Sequence, residues 1–351
     1  MPEPFRVGIT ADFATDAPGL LDRALAEILE PMPGLSYEHM PPKLPVAQAA
    51  DLDRYDAIIA LRAEFTASSL RGTKRLAVIS RWGVGYETVD IGACTDNDIA
   101  VCITPDAVRR PVAEGVVCLM LALYKRLMMK DHLVRSGRWG EKSRYVGRCL
   151  HGRTIGSVGM GNIGAEVLRL LTAFGPERLL VYDPYISGGQ WPGLDVEQVQ
   201  LDALLSESDL VTINCPLTPE THHLIGGREL GLMKPTACLI NTSRGAVVDQ
   251  TALTKALQAG SIAGAGLDVF EEEPIAPDDP LINMENVILT PHAIAWTEEL
   301  VRDNGTGACE NALTVLRGEL PMNVVNPDVL ERLGFQAKLK VLGRRWQAVA
   351  S

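Results

Sequence analysis

No apolar run in this chain reaches the roughly 18 residues of a membrane-spanning helix, although 46% of its residues are hydrophobic. Insertion into a membrane is therefore not expected. Positive charge is in short supply too, with 33 Lys and Arg against 44 Asp and Glu and a net charge of −11. That balance argues against nucleic acid as a main partner. There are seven cysteines, an odd count, and no two are spaced C-x-x-C. Such a scatter fits neither a disulfide framework nor a zinc site, so no metal is expected and a reducing compartment is. The opening residues, Met-Pro-Glu-Pro-Phe, have no basic stretch leading into an apolar core. No signal peptide is expected, and the cytoplasm is the expected location. Internal repeats and low-complexity linkers are absent as well. A length of 351 residues suggests about two domains.

The most informative stretch is Thr154-Ile-Gly-Ser-Val-Gly-Met-Gly-Asn-Ile-Gly164. A short β-rich run, Thr154 to Val158, leads into Gly159, Gly161 and Gly164 in the spacing G-x-G-x-x-G. Ile163, Val167, Leu168, Leu170, Leu171 and Phe174 then recur at helical intervals. A strand, a glycine turn and a helix start together form a cradle for a dinucleotide pyrophosphate. The first glycine permits the turn, the second lets the backbone approach the phosphates, and the third lets helix and strand pack closely. The motif alone is weak, since an ordinary strand–helix turn can carry it. Its context is stronger. A second β run, Leu179 to Tyr182, ends in Asp183, which lies 19 residues past Gly164. A carboxylate there accepts hydrogen bonds from the adenosine ribose and repels a 2′-phosphate. The expected cofactor is therefore NAD rather than NADP.

Around this unit the chain alternates strands and helices. Before it come β-like runs at Phe5 to Thr10, Ala57 to Ala60, Leu76 to Ser80 and Ile99 to Ile103, with a helical pattern from Leu20 to Leu29. Val112 to Met129 reads as one long helix beginning near Pro111. Later strands are expected at Val211 to Ile213, Cys238 to Ile240, Gly264 to Asp268 and Val287 to Leu289. A helical stretch from Glu298 to Leu320 follows, and the tail from Asn326 carries Lys338, Lys340, Arg344 and Arg345, as on a solvated helix face. This rhythm predicts an α/β fold of two Rossmann-like, doubly wound parallel-sheet domains with an interdomain cleft. Residues 1–107 with 298–351 would bind substrate, flavodoxin-like, and 108–297 would bind NAD.

Three strand ends carry residues suited to hydride-transfer chemistry on a 2-oxo acid. Arg244 follows one, Asp268 and Glu273 another, and His292 a third. Arginine binds a carboxylate bidentately and polarises a carbonyl. Histidine titrates near neutrality and can give or take the hydroxyl proton. A glutamate on its other ring nitrogen would fix the tautomer. Each residue alone has a plainer reading, such as a surface ion pair, a structural histidine or a solvated acidic turn. Their joint placement at strand ends favours chemistry.

With these residues in place, the chain resembles the D-isomer-specific 2-hydroxyacid dehydrogenase family over about residues 50 to 327. The resemblance rests on Arg81-Trp-Gly-Val-Gly-Tyr-Glu-Thr-Val-Asp90, Val112-Ala-Glu114, the glycine turn and Val181-Tyr-Asp-Pro184. It continues through Cys215-Pro-Leu-Thr-Pro-Glu-Thr-His-His-Leu-Ile225, Ile240-Asn-Thr-Ser-Arg-Gly245, Leu267-Asp-Val-Phe-Glu-Glu-Glu-Pro274 and Leu289-Thr-Pro-His292. It implies Arg244, Glu273 and His292 as the catalytic set. Gly159, Gly161, Asn162, Ile163, Gly164, Asp183, Cys215, Pro216, Thr221, Thr242 and Asp268 would meet the cofactor, Asp268 at the nicotinamide carboxamide. Backbone amides around Val84 and Gly85 would hold the substrate carboxylate. The family further implies a homodimer through the nucleotide domain. After the histidine the chain reads Ala293-Ile-Ala-Trp296, in place of the Ile-Gly-Gly of many members. That version is similar to glyoxylate and hydroxypyruvate reductases, and to corepressors that use this scaffold as an NAD-sensing interaction protein. A regulatory domain like that of long phosphoglycerate dehydrogenases is not expected after Pro327.

Two residues bear on substrate size. Arg81 could reach a second anionic group of the substrate, or could simply pin its own loop or pair with an acid such as Glu87. Trp296 could fill space beside the pocket or lie at the domain hinge. Together they favour glyoxylate or hydroxypyruvate over phosphohydroxypyruvate. The expectation for Asp183 is testable directly. Asp183→Ser should lower kcat/KM with NADH and raise it with NADPH by about tenfold, as roughly 1.4 kcal/mol of charge repulsion is relieved. A wild-type preference for NADPH would reverse this reading.

Overall fold

The computed structural model describes residues 3–41, 49–186, 191 and 193–350. The chain divides into two compact units, Met1–Val108 with Thr297–Ser351, and Arg109–Trp296. Each contains one sheet, and every strand pair recorded in either is parallel. Buried apolar runs are what parallel strands need, because helices cover both faces.

In the first unit the strands are β1 (Phe5–Ile9), β2 (Leu35–His39), β3 (Ala57–Ala60), β4 (Val78–Arg81) and β5 (Ala100–Cys102). Their order is β2-β1-β3-β4-β5, the flavodoxin-like arrangement. β2 escapes the sequence reading because its burial is only partial and polar residues alternate through it, as suits an edge. The helix Glu298–Leu316 packs on β3 and β4. Small residues make this contact close: a Cβ on Gly307 would stand 2.8 Å from the Thr104 side chain. Buried Asn304 accepts from Thr104 Oγ1 at 2.6 Å, and Ser80 Oγ donates to Ala308 O at 2.8 Å.

In the second unit the strands are β6 (Thr154–Val158), β7 (Arg178–Tyr182), β8 (Glu197–Gln198), β9 (Leu210–Ile213), β10 (Cys238–Asn241), β11 (Gly264–Leu267) and β12 (Val287–Leu289). The order β12-β11-β10-β9-β6-β7-β8 reverses direction between β6 and β9. In such sheets a ligand site forms at that reversal, beyond the carboxyl ends of the strands. Alternate strand residues feed two apolar clusters. Leu180, Val211 and Leu239 enter one, while Leu179, Val181, Leu210 and Ile240 enter the other.

Two sequence expectations need correction. The helix placed from Val112 to Met129 is two helices, Pro105–Tyr124 and Leu127–Arg135. Pro105 takes the first turn, where a missing N–H is harmless, and Pro111 lies inside the helix without donating its bond. The break falls at Arg126, whose φ of 51° is left-handed.

The second correction concerns the tail, which forms the helix Leu333–Ala350. Lys340 and Arg344 are exposed as expected, but Lys338 and Arg345 are not on a solvated face. Lys338 Nζ donates to the carbonyls of Leu76 (2.7 Å), Asn97 (2.9 Å) and Asp98 (3.0 Å). Burial pulls its ammonium down to about 8. Arg345 Nη1 donates to Asp56 Oδ1 at 2.6 Å. Asp56 has no exposed surface and also accepts from Arg75 Nη2 at 2.8 Å and from the Arg6 amide at 2.9 Å. Periodicity shows which residues share a helix face but not what that face meets. Removing the charge from a buried, multiply bonded carboxylate is costly, so Asp56→Asn should destabilise the fold by about 2–4 kcal/mol in urea titration. A loss below about 0.5 kcal/mol would reduce this cluster to the worth of a surface pair.

Candidate active site

The glycine turn sits at the carboxyl end of β6, beside the exit of β9. Gly159 has φ 97°, and a Cβ there would lie 2.8 Å from the Asn214 carbonyl. A Cβ on Gly164 would lie 2.5 Å from the Gly159 oxygen. The fold itself therefore requires the first and third glycines. Gly161 differs, since a Cβ there would meet nothing within 4 Å. Nothing among the described residues calls for a glycine at that position. It stands ahead of the helix Asn162–Thr172 and offers no side-chain cap, so the first amides of that helix are left for another acceptor. Gly161 and Asn162 are exposed, whereas the Ile163 side chain packs into the core. Phe174 lies beyond the helix end.

Asp183 closes this cradle at the end of β7. Its Oδ2 accepts from the Met160 amide at 2.9 Å and its Oδ1 from the Tyr185 amide at 3.0 Å. The carboxylate thus shapes the turn. On the β9 side, Thr221 Oγ1 donates to Pro216 O and accepts from the Thr218 amide, both at 2.7 Å. Burial pushes the Cys215 thiol up to about 11, which keeps it neutral. Thr242 Oγ1 and Asn214 Oδ1 are buried without a hydrogen-bond partner among the described residues. Open space at Gly161, uncapped amides and buried orphan polar atoms fit a bound dinucleotide. Among the described residues, no three His, Cys, Asp or Glu are grouped to hold a metal.

At the neighbouring strand ends, the residues singled out for chemistry come together on three loops. Asn241 ends β10 and is 1% exposed. Its Nδ2 donates to Arg244 O at 2.9 Å, while its Oδ1 accepts from the amide (3.1 Å) and hydroxyl (3.0 Å) of Ser243. Gly245 then lies so close to the Phe270–Glu271 backbone that a Cβ would overlap it. The loops carrying Arg244 and Glu273 are therefore in main-chain contact. Glu273 Oε1 accepts from the Phe270 amide at 3.2 Å, and its Oε2 stands 2.8 Å from His292 Nδ1. His292 itself has φ 53°, uncommon for a residue with a Cβ.

Asp268 holds that conformation. It is 4% exposed, and its Oδ1 accepts from Thr290 Oγ1 (2.6 Å), the Ala293 amide (2.9 Å) and the Ile294 amide (3.1 Å). Burial pushes its carboxyl above the ordinary aspartate value, against the pull of those three bonds. Its main visible task is to anchor the His292 loop, a role that sequence spacing does not reveal. Asn241 escaped the sequence reading for the same reason, as its signal is only a polar residue ending a buried strand.

The other unit carries the loop after β4. Arg81 is 7% exposed and its Nε donates to Gly85 O at 2.8 Å. That bond ties Arg81 to its own loop. Val84 and Gly85 are part-buried on the loop so shaped. Trp296 is 41% exposed, donates its amide to Ala293 O at 2.9 Å and is the last residue of the unit Arg109–Trp296.

The strand reversal, the glycine cradle and the His–Glu pair at adjoining strand ends define a dinucleotide-dependent α/β dehydrogenase. The chain belongs to the D-isomer-specific 2-hydroxyacid dehydrogenases. Residues 117–293 match the family described as "D-isomer specific 2-hydroxyacid dehydrogenase, NAD binding domain". A glyoxylate reductase of Korarchaeum cryptofilum is 42% identical over 79% of this chain and 84% of its own length. A D-3-phosphoglycerate dehydrogenase of Methanocaldococcus jannaschii is 41% identical over 77% of this chain, which spans only 51% of that protein. The crystal structure of a glyoxylate reductase from Paecilomyes thermophila superposes with TM-score 0.78 at 27% identity, covering 92% of this chain and 99% of that one. The protein is thus an NAD-dependent oxidoreductase of this family. No helix among the described residues is long and apolar enough to cross a membrane.

Because space is open at Gly161, Gly161→Ala should leave the melting temperature of the cofactor-free protein unchanged. It should weaken NADH binding about tenfold or more by holding the backbone off the pyrophosphate. Unchanged NADH affinity by fluorescence titration would place the pyrophosphate elsewhere.

Proposed function

We propose that the protein reduces a small 2-oxo acid, glyoxylate or hydroxypyruvate, to the D-2-hydroxy acid with NADH, and catalyses the reverse oxidation. The observation that carries this reading is the His292–Glu273 pair at 2.8 Å, on a loop anchored by Asp268 and in the same unit as the glycine cradle. When bound, the cofactor supplies the hydride to the carbonyl carbon. The remaining work falls to the chain. Arg244 binds the carboxylate and draws charge from the carbonyl oxygen. His292, protonated, gives its Nε2 proton to the forming alkoxide, and takes one back in oxidation. Glu273 on Nδ1 sets the tautomer and stabilises the charged ring. Asp183, a carboxylate at the ribose position, favours NAD over NADP. The buried Arg81, engaged with Gly85 O, supports a substrate without a second anionic group.

A second copy of this chain is the proposed partner. The unit Arg109–Trp296 exposes Leu127, Met128, Val134, Trp139 and Val146, an apolar set suited to a homodimer whose mass sedimentation would read.

A substrate panel with purified protein tests the main reading, with NADH oxidation as the signal. Glyoxylate or hydroxypyruvate should exceed phosphohydroxypyruvate in kcat/KM, and a tenfold advantage for the phosphorylated acid would overturn the small-substrate assignment. Arg244→Ala should lower kcat/KM by at least about a hundredfold, the loss of a charged donor from a dry site, with NADH still bound. Glu273→Gln should lower kcat for reduction about tenfold with NADH affinity unchanged, since the charged ring loses the carboxylate that orients and balances it. A wild-type kcat would assign the proton to another group.

A further inference from the structure

The acidic turn Glu271-Glu-Glu273 grips two histidines, of which only His292 has a place in the chemistry above. The other is His223, whose Nε2 stands 2.8 Å from Glu271 Oε1. His223 has φ 51°, the same uncommon left-handed backbone as His292, so its surroundings must hold it there. Its amide donates to Ala246 O at 2.8 Å, on the loop just past Arg244. The His222 ring stacks on it with centroids 4.0 Å apart. Glu271 is clamped from the other side as well. Its Oε1 accepts from the Gln250 amide at 2.9 Å and its own amide donates to Gln250 Oε1 at 3.1 Å. Gln250 Nε2 in turn donates to Asp279 Oδ2 at 2.8 Å.

His223 also terminates the segment that leaves the glycine cradle. That segment starts at Asn214 and Cys215, whose backbone fills the space beside Gly159, and is stiffened by the Thr221 bonds to Pro216 and Thr218. We propose that His223 and Glu271 form a positioning pair for the reaction, tying the turn that presents Glu273 to the segment leaving the cradle and to the Arg244 loop. The proposal rests on the acid–base reading of Glu273 and His292. Magnitude separates this role from a merely stabilising one. The two side chains are 38% and 32% exposed, and exposed pairs contribute little to stability. Displacing a proton-transfer group by a fraction of an ångström is, by contrast, felt strongly in turnover.

The test is a mutant cycle in the full-length protein. His223→Leu and Glu271→Ala should each lower kcat about tenfold, with NADH affinity within about twofold of wild type and melting temperature nearly unchanged. The double variant should be no worse than either single one. Glu271→Gln, which keeps the acceptor oxygen for His223 and Gln250, should restore most of the turnover. Singles with wild-type kcat, losses that multiply in the double variant, or no rescue by glutamine would each overturn the positioning role. Glu273→Gln, measured alongside, separates the two levels. If it lowers kcat while the His223 variants are silent, only this inference fails. If it too is silent, the acid–base reading of the turn fails, and the positioning role with it.

Discussion

A carboxylate buried at the end of β11 is the constraint on which the rest of the site depends. Asp268 is nearly inaccessible to water, and burying a charge without partners would be prohibitive. Three donors offset that, and all three belong to the segment Thr290–Ile294. Satisfying Asp268 thus forces this segment to curl back over the strand end. The curl places His292 in a left-handed conformation and aims its Nδ1 at Glu273. The geometry of the proposed acid–base pair follows from the hydrogen bonding of a residue that need not touch a proton in the reaction.

Close backbone approach does similar work elsewhere in this unit. Gly245 lets the Arg244 loop lie against the Phe270–Glu271 backbone, and Gly159 lets the end of β9 lie against the glycine turn. Both are places where a side chain would force strand-end loops apart. Parallel strands bring those loops to one edge of the sheet, and glycine and buried polar anchors then set the distances between them. Gly161 is the exception that points outward, since its missing side chain leaves room that none of the described residues occupies.

The first unit is held together differently. Its sheet is small, and the helices Glu298–Leu316 and Leu333–Ala350 return from the far end of the chain to cover it. The last of these is fastened by polar bonds. Lys338 serves carbonyls around the helix Ile91–Asp96, and Arg345 completes the cluster on Asp56. Long-range fastenings of this kind make the unit depend on residues distant from it in sequence.

The α/β alternation, the glycine turn, Asp183 and the strand-end placement of Arg244, Glu273 and His292 are all legible in the sequence. They depend on local signals, namely hydrophobic period, glycine spacing and a polar residue closing an apolar run. β2 and β8 were not legible, because an edge strand need not bury a continuous apolar face. Nor could the pairing of Glu271 with His223 be read, or the task of Asn241, or the inward turn of Lys338 and Arg345. The partners of Glu271, Lys338 and Arg345 are chosen across tens to hundreds of residues, and many surface partners would satisfy the same local pattern. Asn241 bonds within three residues, but only the bend of the chain after β10 brings those groups to it. The sequence by itself determined the fold class and the chemical residues on offer. Only the tertiary structure decided which of those residues meet, because a hydrogen bond needs a partner at about 3 Å, and that distance is set by the packing of the whole chain.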